Sequence, residues 1–173
     1  MDSSPNSYDL GERSTALSAL LRGREERALV QQMLLHILPT VVQISLNIPG
    51  YPKRMPGDEA AIQAAECALY VQRVRPSARM QLVNAAGIAL LLGCHLPPQR
   101  AKLAAIDLEK SQPCGRVLDV DVVSASGPLS RTHLGVAPRR CLLCNDDAKA
   151  CGRLGRHGTD ELRARISAIL GLL

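Results

Sequence analysis

The 173-residue chain has the length of one domain, and its formal net charge of +5 favours an anionic partner, whether a polyphosphate ligand, an acidic protein or nucleic acid. It contains no Phe or Trp and three Tyr residues, so Leu, Ala, Val and Ile must fill the core. A polar start and the short apolar run 85–94 predict neither a signal peptide nor a membrane span, so we expect a cytoplasmic protein with six cysteines that are reduced thiols or metal ligands.

The first part of the chain predicts a tail, a helix and a strand. Residues 1–13 are expected to form a flexible tail ahead of a single folded domain, 14–173. Apolar residues at helical spacing predict a helix from Ser14 to about His36, with Gly23 weakening its centre. Strict alternation from Val42 to Ile48 predicts a half-buried strand.

The remaining elements predict an α+β fold. After a proline-rich loop, the sequence predicts a helix at 58–75, strands at 80–84 and 88–92 and a helix from 97 to about 110. A strand at 117–123, a turn at 126–128 that leads to a further strand, and a last helix at 159–170 follow. Leu103 and Ile106 are expected to face the core from the third helix. The order α-β-α-β-β-α-β-β-α indicates a mixed β-sheet packed against helices.

Two carboxylates lie at alternate positions of an apolar strand in Gly115-Arg-Val-Leu-Asp-Val-Asp-Val-Val123. The period of two puts Asp119 and Asp121 on one face, about 6–7 Å apart, while the residues between them enter the core. Mg²⁺ would offset their mutual repulsion, and Gly115-Arg116 could approach and bind phosphate. The segment indicates either phosphoryl or nucleotidyl transfer, or an edge strand with a solvated polar face.

A cysteine-rich segment follows, with Cys141, Cys144, Cys151 and His157 in the spacing C-x2-C-x6-C-x5-H. This set is sufficient for a tetrahedral structural zinc site. Alternatively, the cysteines are small buried hydrophobic residues and His157 lies at the surface.

Three further cations have two interpretations each. Arg139 and Arg140 directly precede the cysteines, and Lys53 lies in the proline-rich loop. They either contact an anionic ligand or form part of a solvated charged surface.

Read together, these segments resemble the citrate lyase holo-acyl-carrier-protein synthase family, also described as apo-citrate lyase phosphoribosyl-dephospho-CoA transferases. The matching pieces occur in family order and cover roughly residues 17–170. They are Leu21-Arg-Gly-Arg-Glu-Glu-Arg27, Asn47-Ile-Pro-Gly-Tyr-Pro-Lys53, Lys102-Leu-Ala-Ala-Ile-Asp-Leu-Glu109, Gly115-Arg-Val-Leu-Asp-Val-Asp-Val122, Pro138-Arg-Arg-Cys-Leu-Leu-Cys144 and the Cys151/His157 pair.

The resemblance implies a nucleotidyltransferase-like metal strand and a transfer reaction. The donor would be triphosphoribosyl-dephospho-coenzyme A, the acceptor a serine of the citrate lyase acyl carrier (gamma) subunit, and the leaving group pyrophosphate. Asp119 and Asp121 would hold Mg²⁺ and act as the catalytic pair, with Glu109 as a further ligand or an orienting group. The residues that would bind the substrate are Gly115, Arg116, Lys53, Arg139 and Arg140.

Two departures and two alternatives accompany this interpretation. Gln112 stands where the family often has histidine, and Ala85-Ala-Gly87 replaces an expected Gly-Pro turn. A zinc-containing basic module acting on nucleic acid would explain the cysteines but not the strand aspartates. The scarcity of aromatic residues removes the stacking surface that single-strand binders use, so no nucleic acid is expected as a partner. The shortness of the apolar runs predicts no membrane partner. The other alternative is a nucleotidyltransferase for a different carrier protein.

Overall fold

The computed structural model describes residues 7–173, with side chains from Ser14 onward. Within these residues the helices are α1 (Ser7–Ile37), α2 (Asp58–Val71), α3 (Pro98–Ser111), α4 (Ala148–Arg153) and α5 (Thr159–Leu170). The strands are β1 (Thr40–Leu46), β2 (Ala78–Asn84), β3 (Gly87–Cys94), β4 (Leu118–Ser124) and β5 (Gly127–Pro128). No helix in this part of the chain has both the length and the apolar character needed to cross a membrane.

Helix α1 is longer than predicted and is not divided at Gly23. It begins at Ser7, so it includes the second half of the predicted tail, while residues 1–6 lie outside the described residues. Gly23 serves contact with the sheet, because a Cβ atom there would lie 2.5 Å from the Asn84 side-chain oxygen. The absence of a side chain lets the helix pass close over the turn between β2 and β3.

The α+β class with one sheet against helices is confirmed, and every strand pairing is antiparallel. The strand order is β2-β3-β1-β4-β5. We expected a mixed sheet because helices join β1 to β2 and β3 to β4. Each of those connections skips one position, so an antiparallel strand lies between the two strands that run in the same direction.

The sheet has two differently covered faces. One face, which includes Val42 and Ile44 of β1 and Val120 of β4, packs against α2, α3 and α5 in the main core. The opposite face, which includes Val41 and Leu91, packs against α1. Alternation along β4 directs Asp119 and Asp121 away from the main core, to the α1 side of the sheet.

Candidate functional site

The two aspartates of β4 lie beside the polar residues of β1. Ser45 pairs with Asp119 and Gln43 pairs with Asp121 across the sheet. Burial raises the pKa of Asp121, and the neighbouring charge of Asp119 raises it further. The ionised form of Asp121 is therefore disfavoured beside Asp119 in the absence of a cation. A divalent cation fits this donor set, since Mg²⁺ commonly takes two carboxylates and completes its shell with phosphate and water.

Helix α3 holds the peptide unit between the aspartates. The buried ammonium group of Lys102 donates to the Val120 carbonyl oxygen at 2.9 Å, and the buried Glu109 carboxylate accepts from the Val120 N–H at 3.2 Å. The short β5 pairs with β4 at Val123 and Ser124, so Val120 lies beyond that pairing. The two α3 side chains thus satisfy the open edge of β4 and fix the backbone that carries both aspartates.

Arg139 connects the cysteine-rich segment to β4. One terminal nitrogen of its guanidinium group lies 4.0 Å from Asp119 and from Glu109. The other donates to the carbonyl oxygens of Gly115 at 3.0 Å and Arg116 at 2.6 Å. Arg139 therefore places a positive charge against the aspartate face while it fixes the turn before β4.

Glu109 acts as an orienting group in this arrangement. One of its carboxylate oxygens accepts from Val120 and the other pairs with Arg131. Both oxygens are engaged inside the protein, so Glu109 is less available to a cation than the two strand aspartates. The charge of Glu109 also contributes to the raised pKa of Asp121.

A cleft of about 560 Å³ opens over the aspartates. Its charged lining contains four carboxylates and four Lys or Arg side chains. These residues are Asp119, Asp121, Glu109, Asp147, Lys102, Arg131, Arg139 and Lys149. The strand aspartates can hold a divalent metal, and the surrounding cations can bind the phosphate groups of a ligand.

The predicted zinc ligands come together in one cluster. The ligand atoms of Cys141, Cys144, Cys151 and His157 all lie within 4.8 Å of one another. The sulfur atoms of Cys144 and Cys151 are 3.9 Å apart, and the Nε2 atom of His157 is 3.4 Å from the Cys144 sulfur. A tetrahedral zinc ion would require about 3.8 Å and about 3.5 Å for these separations.

Local interactions act in opposite directions on two of the thiols. Although burial opposes ionisation, backbone N–H groups of Leu143 and Cys144 and the neighbouring thiols lower the pKa of Cys141 to about 6, whereas burial and the neighbouring thiols raise the pKa of Cys151 to about 12. The Nε2 atom of His157 faces the Cys144 sulfur, and its Nδ1 atom lies 3.7 Å from a carboxylate oxygen of Glu161.

The other predicted site residues lie in three places. Arg116 donates to the Cys141 carbonyl oxygen, and with Arg140 it lines a second cavity of about 360 Å³ beside the cysteine cluster. Gly115 is packed under α3, where a Cβ atom would collide with the Glu109 carbonyl oxygen. Lys53 lies beyond β1, where its ammonium group donates to the Ile48 carbonyl oxygen at 2.6 Å. The structure thus brings Asp119, Asp121 and Arg139 together and places the others around them.

Sequence reasoning named Glu109 of α3 as a further ligand or an orienting group but missed Lys102. The apolar positions predicted a helix face containing Leu103, which is 45% exposed, whereas the adjacent Lys102 is 7% exposed. The buried face carries Lys102 and Glu109 among alanines and Ile106. Two opposite charges seven residues apart, on a face otherwise made of small and apolar side chains, were the available signal.

Comparison with known proteins gives a consistent result. A family model described as apo-citrate lyase phosphoribosyl-dephospho-CoA transferase matches residues 15–171. A probable apo-citrate lyase phosphoribosyl-dephospho-CoA transferase of Streptococcus pyogenes serotype M18 is 38% identical over 175 residues, covering 95% of this chain and 90% of the relative. The apo-citrate lyase phosphoribosyl-dephospho-CoA transferase of Escherichia coli O9:H4 is 33% identical over 164 residues, covering 91% and 89%.

Proposed function

This chain belongs to the apo-citrate lyase phosphoribosyl-dephospho-CoA transferase family, and we propose on that basis that it transfers the phosphoribosyl-dephospho-CoA group to citrate lyase. The donor is triphosphoribosyl-dephospho-coenzyme A and the acceptor is a serine of the acyl carrier subunit. The observation that carries the proposal is the match over residues 15–171, which includes the aspartate strand and the cysteine cluster.

The proposed reaction is a substitution at phosphorus. The serine oxygen of the carrier forms a bond to the phosphorus nearest the ribose. The bond from that phosphorus to the bridging oxygen of the next phosphate breaks, and pyrophosphate leaves with the electron pair. The serine proton passes to a base or to water. Because the nucleophile belongs to the partner, this chain has to supply orientation and charge stabilisation.

The cleft residues fit those two tasks. Asp119 and Asp121 would hold Mg²⁺, which when bound neutralises phosphate charge. Arg139, 4.0 Å from Asp119, presents a guanidinium group that can donate to phosphate oxygens. Lys102 and Glu109 keep β4 in place through Val120. Gly115, Arg116, Arg140 and Lys53 stay predictions as substrate contacts.

A mass measurement tests the proposed function. The acyl carrier subunit of citrate lyase is incubated with this protein, Mg²⁺ and triphosphoribosyl-dephospho-coenzyme A, and its intact mass is recorded. We expect a gain equal to one phosphoribosyl-dephospho-CoA group, lost when EDTA is added and when the acceptor serine is changed to alanine. An unchanged carrier mass with folded enzyme and verified donor would refute the proposal.

The cysteine cluster supports a second role inside the same protein. We propose that Cys141, Cys144, Cys151 and His157 hold a structural zinc ion, since the separations of their ligand atoms fit tetrahedral coordination. Elemental analysis should find about one zinc per chain. We also propose a cytoplasmic location, where such thiols stay reduced, because all six cysteines are free.

A further inference from the structure

Four cationic side chains gather around the exit of β1. Arg24 and Arg27 come from α1, Lys53 from the loop after β1, and Arg163 from α5. Their charges act on one another: Arg24 affects both Arg27 and Lys53, and Arg163 affects Lys53. Burial is the main cause that lowers the pKa of Lys53, followed by the charges of Arg24 and Arg163. Burial is also the main cause that lowers the pKa of Arg27, followed by the charge of Arg24. Like charges brought together from three elements need a compensating partner.

Three of the four side chains are fixed by backbone carbonyl groups. The bonds run from Arg27 to Ala86 at 2.5 Å, from Lys53 to Ile48 at 2.6 Å, and from Arg163 to both Pro49 and Pro52 at 3.0 Å. Carbonyl oxygens are neutral, so these bonds orient the cations without cancelling their charge. Arg27, Lys53 and Arg163 are therefore held in place without loss of charge, and Arg24 lies exposed beside them.

The cations lack carboxylate partners of their own. Within residues 14–173, none of the four lies within 4.0 Å of an Asp or Glu oxygen. The Nε atom of Arg27 is buried and has no hydrogen-bond acceptor. The nearby negative charge that acts on Arg27 is that of Asp119, one of the two aspartates of the cleft. A buried donor without an acceptor, beside a net positive group, is the environment of an anion site.

We propose that Arg24, Arg27, Lys53 and Arg163 bind a phosphate-anhydride chain of the donor, on the α1 side of Asp119. A chain of linked phosphates matches a set of cations spread over three elements better than a single phosphate does, because each phosphate can meet a different donor. The inference rests on the proposed function for the identity of the donor. Phosphate contacts would then come from α1, α5 and the loop after β1, in addition to the cleft that opens over the aspartates.

The donor contains two phosphate-anhydride groups, the triphosphate and the diphosphate bridge of dephospho-CoA. Inorganic triphosphate and dephospho-CoA serve as separate probes, and their dissociation constants are measured by calorimetry with the folded full chain in EDTA. Removing divalent metal isolates the contribution of the cations. We expect Arg24→Gln to weaken binding of one probe by at least about tenfold, the effect of losing one charged hydrogen bond.

A matched control is available on the same helix. Arg22 is exposed and lies two residues from Arg24, which places it on a different side of α1. Arg22→Gln removes the same charge and should leave both dissociation constants within about twofold of wild type, because salt screens the effect of an exposed charge on a distant ligand. Arg24 is exposed, so its replacement should not unfold the protein, and a thermal melt checks this. Arg163→Gln and its control Arg165→Gln repeat the comparison on α5.

Each result is decisive for the anion site. Weaker triphosphate binding with unchanged dephospho-CoA binding assigns the cations to the triphosphate, and the reverse assigns them to the diphosphate bridge. The proposal is overturned if neither probe binds the wild type, or if Arg24→Gln and Arg163→Gln bind both probes like their controls. Transfer to the carrier by wild type despite such a result would leave the proposed function standing. Intact probe binding without any transfer would refute the proposed function alone.

Discussion

Asp121 has a carboxylate whose ionised form is disfavoured in the metal-free protein. Burial and the charge of Asp119 raise its pKa, and Glu109 adds to the effect, while Lys102 and Lys149 oppose it. A group with a raised folded-state pKa stabilises the fold below its unfolded value, about pH 4, and that stability is lost as the pH rises through the raised value. Asp121 is exposed at the surface of the sheet, so solvent screens these effects and the ionised carboxylate costs only a small amount of stability at neutral pH.

We predict opposite effects of Asp121→Asn on activity and on stability. Transfer should fall by at least about a hundredfold, because metal-supported charge stabilisation is worth several kcal/mol. In EDTA the variant should melt at a higher temperature than wild type, with a difference that grows from about pH 4 to pH 7. Mg²⁺ should raise the melting temperature of wild type and not of the variant.

The control for this prediction is Asp107→Asn, which removes an exposed carboxylate of α3. It should leave transfer and the response to Mg²⁺ unchanged. If Asp121→Asn melted below wild type in EDTA at pH 7, the ionised carboxylate would be a stabilising group and the argument from its pKa would be wrong.

At the scale of elements, local patterns predicted most strands and helices, though not α4, and did not predict their contacts. The alternating residues of β4 predicted which face carries the aspartates, because side-chain direction follows from the strand period alone. The bonds that fix Val120 come from Lys102 and Glu109, 18 and 11 residues earlier, and Arg27 reaches Ala86 across 59 residues. Such contacts depend on how α1 and α3 dock on the sheet, which periodicity does not specify.

The docking of α3 gives a prediction for Lys102→Met. The Val120 carbonyl oxygen would lose its donor and Glu109 would lose a nearby positive charge, so the free energy of unfolding should fall by about 1–3 kcal/mol. Transfer should fall by about tenfold or more, since small displacements of catalytic groups are costly. Urea denaturation and the mass assay measure the two effects.

Lys110→Met is the matched control, because it removes an exposed lysine from the last turn of the same helix. It should change the unfolding free energy by no more than about 0.5 kcal/mol, as surface substitutions usually do. Equal transfer rates for Lys102→Met and Lys110→Met would show that the Val120 bond does not position the aspartates.

At the scale of the whole molecule, the aspartate cleft and the cysteine cluster are joined through two arginines. Arg116 donates to the Cys141 carbonyl oxygen, and Arg139 bonds to the Gly115 and Arg116 carbonyl oxygens while it faces Asp119. The spacing of the cysteines predicted the cluster, since C-x2-C with a further Cys and His is a local pattern. Its connection to β4 was not predictable, because it runs through main-chain carbonyl groups that no side-chain pattern reveals.

This connection gives the prediction for Cys144→Ser. Cys144 does not line the aspartate cleft, yet its sulfur lies 3.9 Å from that of Cys151 and 3.4 Å from His157 in the cluster. The variant should lose its zinc and melt roughly 10 °C lower, the shift that a loss of about 3 kcal/mol produces in a domain of this size. Transfer should fall as well, because the loosened segment would no longer hold Arg139 against Asp119.

Cys67→Ser separates this effect from the loss of any thiol, since Cys67 is exposed on α2 and outside the cluster. It should keep about one zinc per chain, the wild-type melting temperature and full transfer. If Cys144→Ser lost zinc but transferred at the wild-type rate, the cluster would stabilise the C-terminal segment without positioning Arg139. If wild type itself contained no zinc, even after purification with zinc present, the four ligands would be a thiol cluster and the coupling would have to arise from packing alone. Zinc content, melting temperature and transfer rate, measured on the same three proteins, therefore distinguish a metal that orders the active site from one that only supports the fold.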